Sequence, residues 1–408
     1  VPAVSSTEQQ SEVIANGKEN GISWNITSDG LLTLTTESIV STIRNYDYNE
    51  TYAPWEPYAM QVKKIVIGKN ITYIGKHAFY GCKNATEIEI GSSVKEIASY
   101  AFGSTFTSVI IPASVTSIDD AAFRGAGVSQ GYYVDSQNPS YCNDENGILF
   151  NKDKTQLVCA PKSLAGKYAV PDTVQKLTDY CFSNCKELTE LTIGDSVAAI
   201  PSSAFAGCSH LKILSIGDNV KSVGNLFINS QLPELETLYL GSGFNQIDNF
   251  DRLPALLNIN VSENNETYSS VDGILYSKDK TILQKYPCGR TGTFQVPDGV
   301  KEACGFENCK IEEVIIPEGV TKVGYISGCK NLVKVQLPDT VTKIGGFSGC
   351  TSLEEIVLPD EIEKLNQFAF SGCSNLTSVI LPEKLTSIEQ YTFENCTRLK
   401  EITLPKQL

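Results

Sequence analysis

The 408-residue sequence predicts a repeat solenoid: a right-handed stack of short coils, mostly β with short turns or helical segments, with a parallel β-sheet on one face. Three observations predict it. A phenylalanine recurs in one slot, at Ala78-Phe79, Ala101-Phe102, Ala122-Phe123, Ala204-Phe205 and Ala369-Phe370, with Cys181-Phe182 and Thr392-Phe393 as variants. A cysteine comes after it, at Cys82, Cys185, Cys208, Cys309, Cys329, Cys350, Cys373 and Cys396, the last three spaced by 23 residues. An L-x-x-I-x-I stretch comes next, closed by Pro or Gly, as at Gly194, Gly217, Pro317, Pro338, Pro359, Pro382 and Pro405.

Each L-x-x-I-x-I stretch alternates like a half-buried strand, for example at 188–193, 211–216, 332–337, 353–358 and 399–404. The Pro after it lacks a ladder donor and turns the chain. A period of 20–29 residues with this pattern is the leucine-rich-repeat signature. One coil cannot bury its apolar face alone, whereas stacked coils share a core. Roughly fifteen strands are expected, with right-handed connections. The phenylalanines are expected to fill the interior as a spine, Phe370 and Phe393 fully buried in adjacent coils. Most column cysteines are expected to be free thiols that pack as small hydrophobes. Thirteen cysteines cannot all pair within one chain, although Cys142 and Cys159 could staple an insert.

Residues 1–20 read as a flexible N-terminal segment. Residues 21–61 read as an N-terminal β-hairpin cap, in which Ile22, Trp24 and Ile26 alternate, Ser28-Asp29-Gly30 turns, and Leu32 and Leu34 alternate again. Ala53-Pro54-Trp55 is expected to pack beside it. Residues 62–408 are the solenoid, with hairpin inserts near 138–161 and 264–287 that share G-I-L-aromatic-x-K-D-K-T-x-L. Inserts in a solenoid are expected to project from one face, as decoration or as a binding feature. No polar cap lies beyond the last repeat: either the protein continues or a neighbour covers that coil.

The repeated unit, IGKHAFYGC…IEIGSSVKEI in one copy, resembles the BspA-like leucine-rich-repeat surface proteins of host-associated bacteria. The resemblance spans 62–408 and extends to the G-x-x-W-x-I…D-G-x-L-T-L and A-P-W segments of the cap. It implies a secreted or surface-attached protein. Some members of that family bind host matrix proteins or other bacteria, but no fixed binding motif carries over.

The net charge of −14 argues against nucleic acid and anionic membrane as partners, and no apolar run is long enough to span a bilayer. The only methionine is Met60, so Val1 reads as a cut N-terminus. The opening VPAVSSTEQQSE is small and polar, as residues just after a signal-peptide cleavage site are, or else it marks an arbitrary boundary.

No catalytic constellation emerges from the sequence. The two histidines, His77 and His210, occupy variable slots and read as surface residues with no nucleophile or orienting group beside them. Cys181 and Cys185 lack the further ligands of a zinc site. Asp144-Glu145 lacks an EF-hand frame, and Gly75-Lys76 lacks that of a phosphate-binding loop. No cofactor and no metal are expected.

Three functions remain in view: a non-enzymatic binding or adhesion protein, an enzyme confined to the inserts or cap, and a passive stalk presenting another domain. Strand side chains have period two, so each strand offers two outward rows. The candidate ligand-binding residues on them are Tyr239, Glu313, Ile315, Lys334, Gln336, Glu355, Val357 and Ile380. Apolar residues there are unneeded for solubility, and exposed apolar clusters mark contacts. An apolar strip edged by acid suits a protein ligand, a host extracellular or bacterial surface protein with basic and apolar groups.

Overall fold

The computed structural model describes residues 11–47, 50–223, 227, 232–247 and 249–408. Among them the backbone is strand and turn, with two short 3-10 helices, Glu56–Gln61 and Phe250–Arg252. The chain is a β-solenoid, as its repeats require. Its coils carry two parallel ladders, the sheet on one face that the sequence predicts and a second one. The first ladder is the expected one. In Leu188–Ile193, Leu188, Leu191 and Ile193 point inward, and the strand pairs in parallel with Gly166–Ala169 and Ile213–Ile216. The second ladder comes from the V-x-x-I segment after the proline, as in Glu96–Ile97 beside Ser117–Ile118 and Lys322–Tyr325 beside Lys343–Gly346. These strands bury one or two residues each, too few to show an alternation.

The coils group into two compact units: residues 1–165 with 173–187 and 203–208, and residues 166–172 with 188–202 and 209–408. In the first, Val13–Glu19, Ile22–Thr27 and Leu31–Thr36 form an antiparallel cap, which continues in parallel into Lys64–Ile67 and Glu87–Glu89. Residues 1–10 of the segment read as flexible lie outside the described residues, and Val13–Glu19 is a strand. It is held by packing: a Cβ on Gly17 would stand 2.7 Å from the Trp24 ring, so only glycine lets that indole lie against the backbone. Trp55 stacks on Phe79 at 5.4 Å and donates from Nε1 to the Ala78 carbonyl at 2.8 Å. It thereby begins the spine that runs through Phe79, Phe102 and Phe123 at ring separations of 6.0 and 5.6 Å.

The inserts are built into the stack and do not project as hairpins. In the first unit, Tyr141–Asn143, Leu149–Asn151 and Gln156–Cys159 form an antiparallel meander whose last strand joins Lys176–Leu177 in parallel. In the second, Tyr268–Val271, Ile274–Ser277 and Ile282–Lys285 do the same against Glu302–Ala303. The shared K-D-K-T makes the same turn twice. Asp153 and Asp279 accept from the backbone N–H and hydroxyl of Thr155 and Thr281, and Lys154 and Lys280 take positive φ. Asn138 and Asn265 are buried beneath the inserts, each donating to two carbonyls of the preceding coil.

In the second unit the spine runs Phe347, Phe370, Phe393 at 5.5 and 5.4 Å. Phe370 is fully buried, but Phe393, expected to be so, is half-buried, because no described coil lies on its outer face. For the same reason the strand expected at 399–404 does not form, and Leu404 is 57% exposed. All thirteen cysteines are free thiols. Cys142 and Cys159 are not bridged, since Leu149–Asn151 lies between their strands. The column cysteines do more than fill space. Cys208, Cys329, Cys373 and Cys396 donate to the carbonyls of Phe182, Phe306, Phe347 and Phe370 one coil back, at 3.1, 2.9, 3.1 and 3.1 Å. The thiol adds a second donor to a carbonyl that already accepts the backbone N–H of the column cysteine in its own coil, and so ties neighbouring coils together.

Candidate protein-binding surface

The candidate residues all fall on outward positions of the first ladder, within the second unit. Glu313–Ile315 lies between Thr293–Gln295 and Lys334–Gln336, with Glu313 opposite Lys334 and Ile315 opposite Gln336. Glu355–Val357 pairs with Ser378–Ile380, which sets Val357 against Ile380. Tyr239 stands apart in Thr237–Leu240, between Ser215 and Asn260. The strands Asn258–Val261 and Thr293–Gln295 separate it from Glu313, so it does not join the same patch.

The apolar strip is narrower than expected. Val357 and Ile380 are 60% and 57% exposed, neighbours on adjacent strands, and the structure brings them together as one patch. Ile315 is only half-buried surface, flanked by Gln295 and Gln336. The acidic edge is also altered. The Glu313 carboxylate receives Lys334 at 3.2 Å, Gln336 Nε2 at 2.9 Å and the Thr293 hydroxyl at 3.2 Å. Those donors, Gln336 and Lys334 first, hold its carboxyl below the usual range. Its charge is spent within the sheet. Glu355 is exposed and makes no ion pair among the described residues, so it is the acid that remains open beside Val357.

Sequence reasoning placed Ile110 on the outward apolar row but missed the partner that makes a second apolar pair. Ile110, 63% exposed, lies opposite Tyr133, 49% exposed, on the same row in the first unit. The alternation within Gly127–Val134, Tyr132 inward and Tyr133 outward, was the available signal. Also missed was a set of rings in the residue before the Ala-Phe pair. His77, Tyr100, Tyr180, Phe368 and Tyr391 all take positive φ, a conformation that turns the side chain out of the stack. His77 is half-buried between Tyr80 and Tyr100, not on the open surface, with Nδ1 3.1 Å from the Tyr46 carbonyl oxygen.

Comparison with known proteins identifies the repeat. The family model for the BspA-type leucine-rich-repeat region matches in six copies over residues 58–134, 163–270 and 300–408. The chain belongs to the BspA-type leucine-rich-repeat family. No curated protein matches it in sequence. Among solved structures it is similar to a leucine-rich cell-surface protein of Faecalibacterium prausnitzii, 21% identical over 95% of this chain and 93% of that one, TM-score 0.49. It is also similar to the pneumococcal vaccine antigen PcpA, 18% identical over 97% and 93%, TM-score 0.41. A leucine-rich-repeat protein of Bacteroides ovatus is 20% identical over 96% and 95%, TM-score 0.37.

In this BspA-type stack, no group of three or more His, Cys, Asp or Glu placed to hold a metal occurs among the described residues. No described helix is long and apolar enough to cross a membrane. Burial drives the Cys208 and Cys373 thiols away from reactive thiolate, pushing both up to about 12, whereas hydrogen bonds from Cys309 and Cys350 lower Cys329.

Proposed function

We propose that this BspA-type chain is a non-enzymatic, secreted or cell-surface protein that binds a protein ligand through the outward face of its first ladder. The observation that carries the reading is the exposed pair Val357 and Ile380, set side by side with Glu355 open beside them. A solvated sheet gains nothing from two adjacent β-branched side chains that are more than half exposed, whereas a partner that covers them gains their burial. The net charge of −14 favours a partner with basic and apolar groups. A host extracellular protein or a bacterial surface protein is the ligand class that the family resemblance supports.

The test is capture of host and bacterial surface proteins on the immobilised chain, and then the double variant Val357→Lys with Ile380→Lys. Affinity should fall at least about tenfold with an unchanged circular dichroism spectrum, as expected for loss of an apolar anchor. Undiminished binding would move the site off this face.

A further inference from the structure

Outward rings at the corner of the stack in the second unit leave an open slot between them. Phe368 and Tyr391 stack at 5.1 Å with their planes 7° apart, one ring per coil. One coil before Phe368 the corner is two residues shorter, and its Gly345 and Gly346, the latter beside Ala369, carry no ring. Before that comes Tyr325, paired with Gly346 across the second ladder. Tyr325 and Phe368 are 52% and 40% exposed. They wall a cavity of about 540 Å³ whose rim carries Ser327, Ser348, Asn366 and the ion pair Lys364–Glu389 at 2.7 Å. With coils about 4.8 Å apart, two coil steps between rings leave room for one flat group.

The first unit contains a comparable gap between corner rings, filled. There neither the corner at Ala121 nor that of the following insert coil presents a ring between Tyr100 and Tyr180. Arg124 lies between them, its guanidinium carbon 5.2 Å from one ring centre and 4.3 Å from the other. It donates to both hydroxyls, to that of Tyr180 at 2.6 Å and to that of Tyr100. Arg124 comes directly after Phe123 in the repeat. The residue directly after Phe347 is Ser348, too short to reach between rings, so the slot in the second unit stays open.

We propose that the slot between Tyr325 and Phe368 receives the guanidinium of an arginine on a partner polypeptide, as the Tyr100–Tyr180 slot receives Arg124. A guanidinium is flat, is attracted to ring faces and donates in its plane to the polar rim. An ammonium has the charge without the plane. Lys364 is neutralised by Glu389 and does not repel the guest. The inference shares with the proposed function only the premise of a polypeptide ligand, and its site is separate from Val357.

The probe is N-acetyl-arginine methylamide, monitored by saturation-transfer NMR and by shifts of ring resonances. The lysine and citrulline analogues serve as controls, and methyl pyranosides test a sugar guest. Saturable binding of the arginine probe is expected, about tenfold weaker for either analogue. Ser348→Arg should fill the slot from within and abolish binding. Phe368→Asn, which tolerates positive φ, should abolish it by removing a wall. Val357→Lys should leave it unchanged. Absence of binding to the wild-type chain, a preference for a pyranoside, or full binding by folded Ser348→Arg and Phe368→Asn variants would each overturn the proposal. Loss of the sheet-face reading would leave these results intact, so the two fail separately.

Discussion

Truncation of Phe370 to Ala empties the interior between two coils, and no neighbour can collapse into the space. The expected cost is about 3–5 kcal/mol, read from a denaturant midpoint. Phe393→Ala removes a ring with one face already open, and its expected cost is less than half of that. Equal costs would contradict the half-burial of Phe393. The column thiols make a prediction in pH. Burial pushes the Cys208 and Cys373 thiols from their ordinary value near 9 up to about 12 in the folded chain. An acid whose folded pKa is raised binds its proton more tightly in the native state. Its contribution is therefore complete below about pH 9 and is lost as pH rises toward 12. Thermal midpoints should fall across that window, and replacing both residues by Ala should flatten the slope. Reagent-accessible thiols should be few at neutral pH and increase on denaturation. At this scale the inward residues were legible, because period two separates them from the outward rows. The pairing of Glu313 with Lys334 was not, since it depends on register between coils that lie far apart in sequence.

The two inserts read as hairpins because their G-I-L-aromatic strand and K-D-K-T turn are local signals. Their third strand was hidden, because Leu157 and Leu283 look like repeat residues and are repeat residues: each pairs into the second ladder. The inserts are thus thickened coils, and their removal would cost a ladder strand. The second insert also carries a cation into the core. Lys285 is 4% exposed, held 3.2 Å from the Glu307 carbonyl and 3.6 Å from its carboxylate. A buried ion pair rarely repays its desolvation, so Lys285→Met should be neutral or stabilising by about 1 kcal/mol. Glu307→Ala, which leaves the ammonium without its counter-charge, should destabilise. Urea melts of both variants decide the matter, and a large loss in Lys285→Met would assign the lysine a role beyond packing.

At the scale of the whole chain, stability in a stack is a sum of coil terms and terms between neighbouring coils. Hydrogen exchange should therefore be slowest around Phe347 and Phe370, which are covered on both sides, and fastest beyond Cys396, where no strand forms. Uniform protection across 347–408 would contradict the account. The net charge of −14 belongs to this scale too. Association with a basic partner should slow as ionic strength rises, while dissociation changes little. The repeat made the architecture legible at once, because a pattern that recurs many times averages out local exceptions. The binding face was only partly legible, because a row of residues becomes a patch through burial and ion pairing, which no single coil determines.

The bonds from Cys208, Cys329, Cys373 and Cys396 to the phenylalanine carbonyl one coil back repeat with the same atoms in the same places. Where this bond forms, a coil offers its successor the same kind of socket that its neighbours offer, which makes those coils interchangeable parts. Cys350, Cys373 and Cys396 mark two successive lengths of 23 residues, so excision of 351–373 joins one standard socket to the next plug. Such a shortened chain should fold cooperatively with its remaining corners intact. A gene built of such parts can lengthen or shorten by unequal recombination without ever passing through a broken protein. Reach then becomes a quantity that inheritance can adjust in steps of one coil, independently of which side chains a given coil displays.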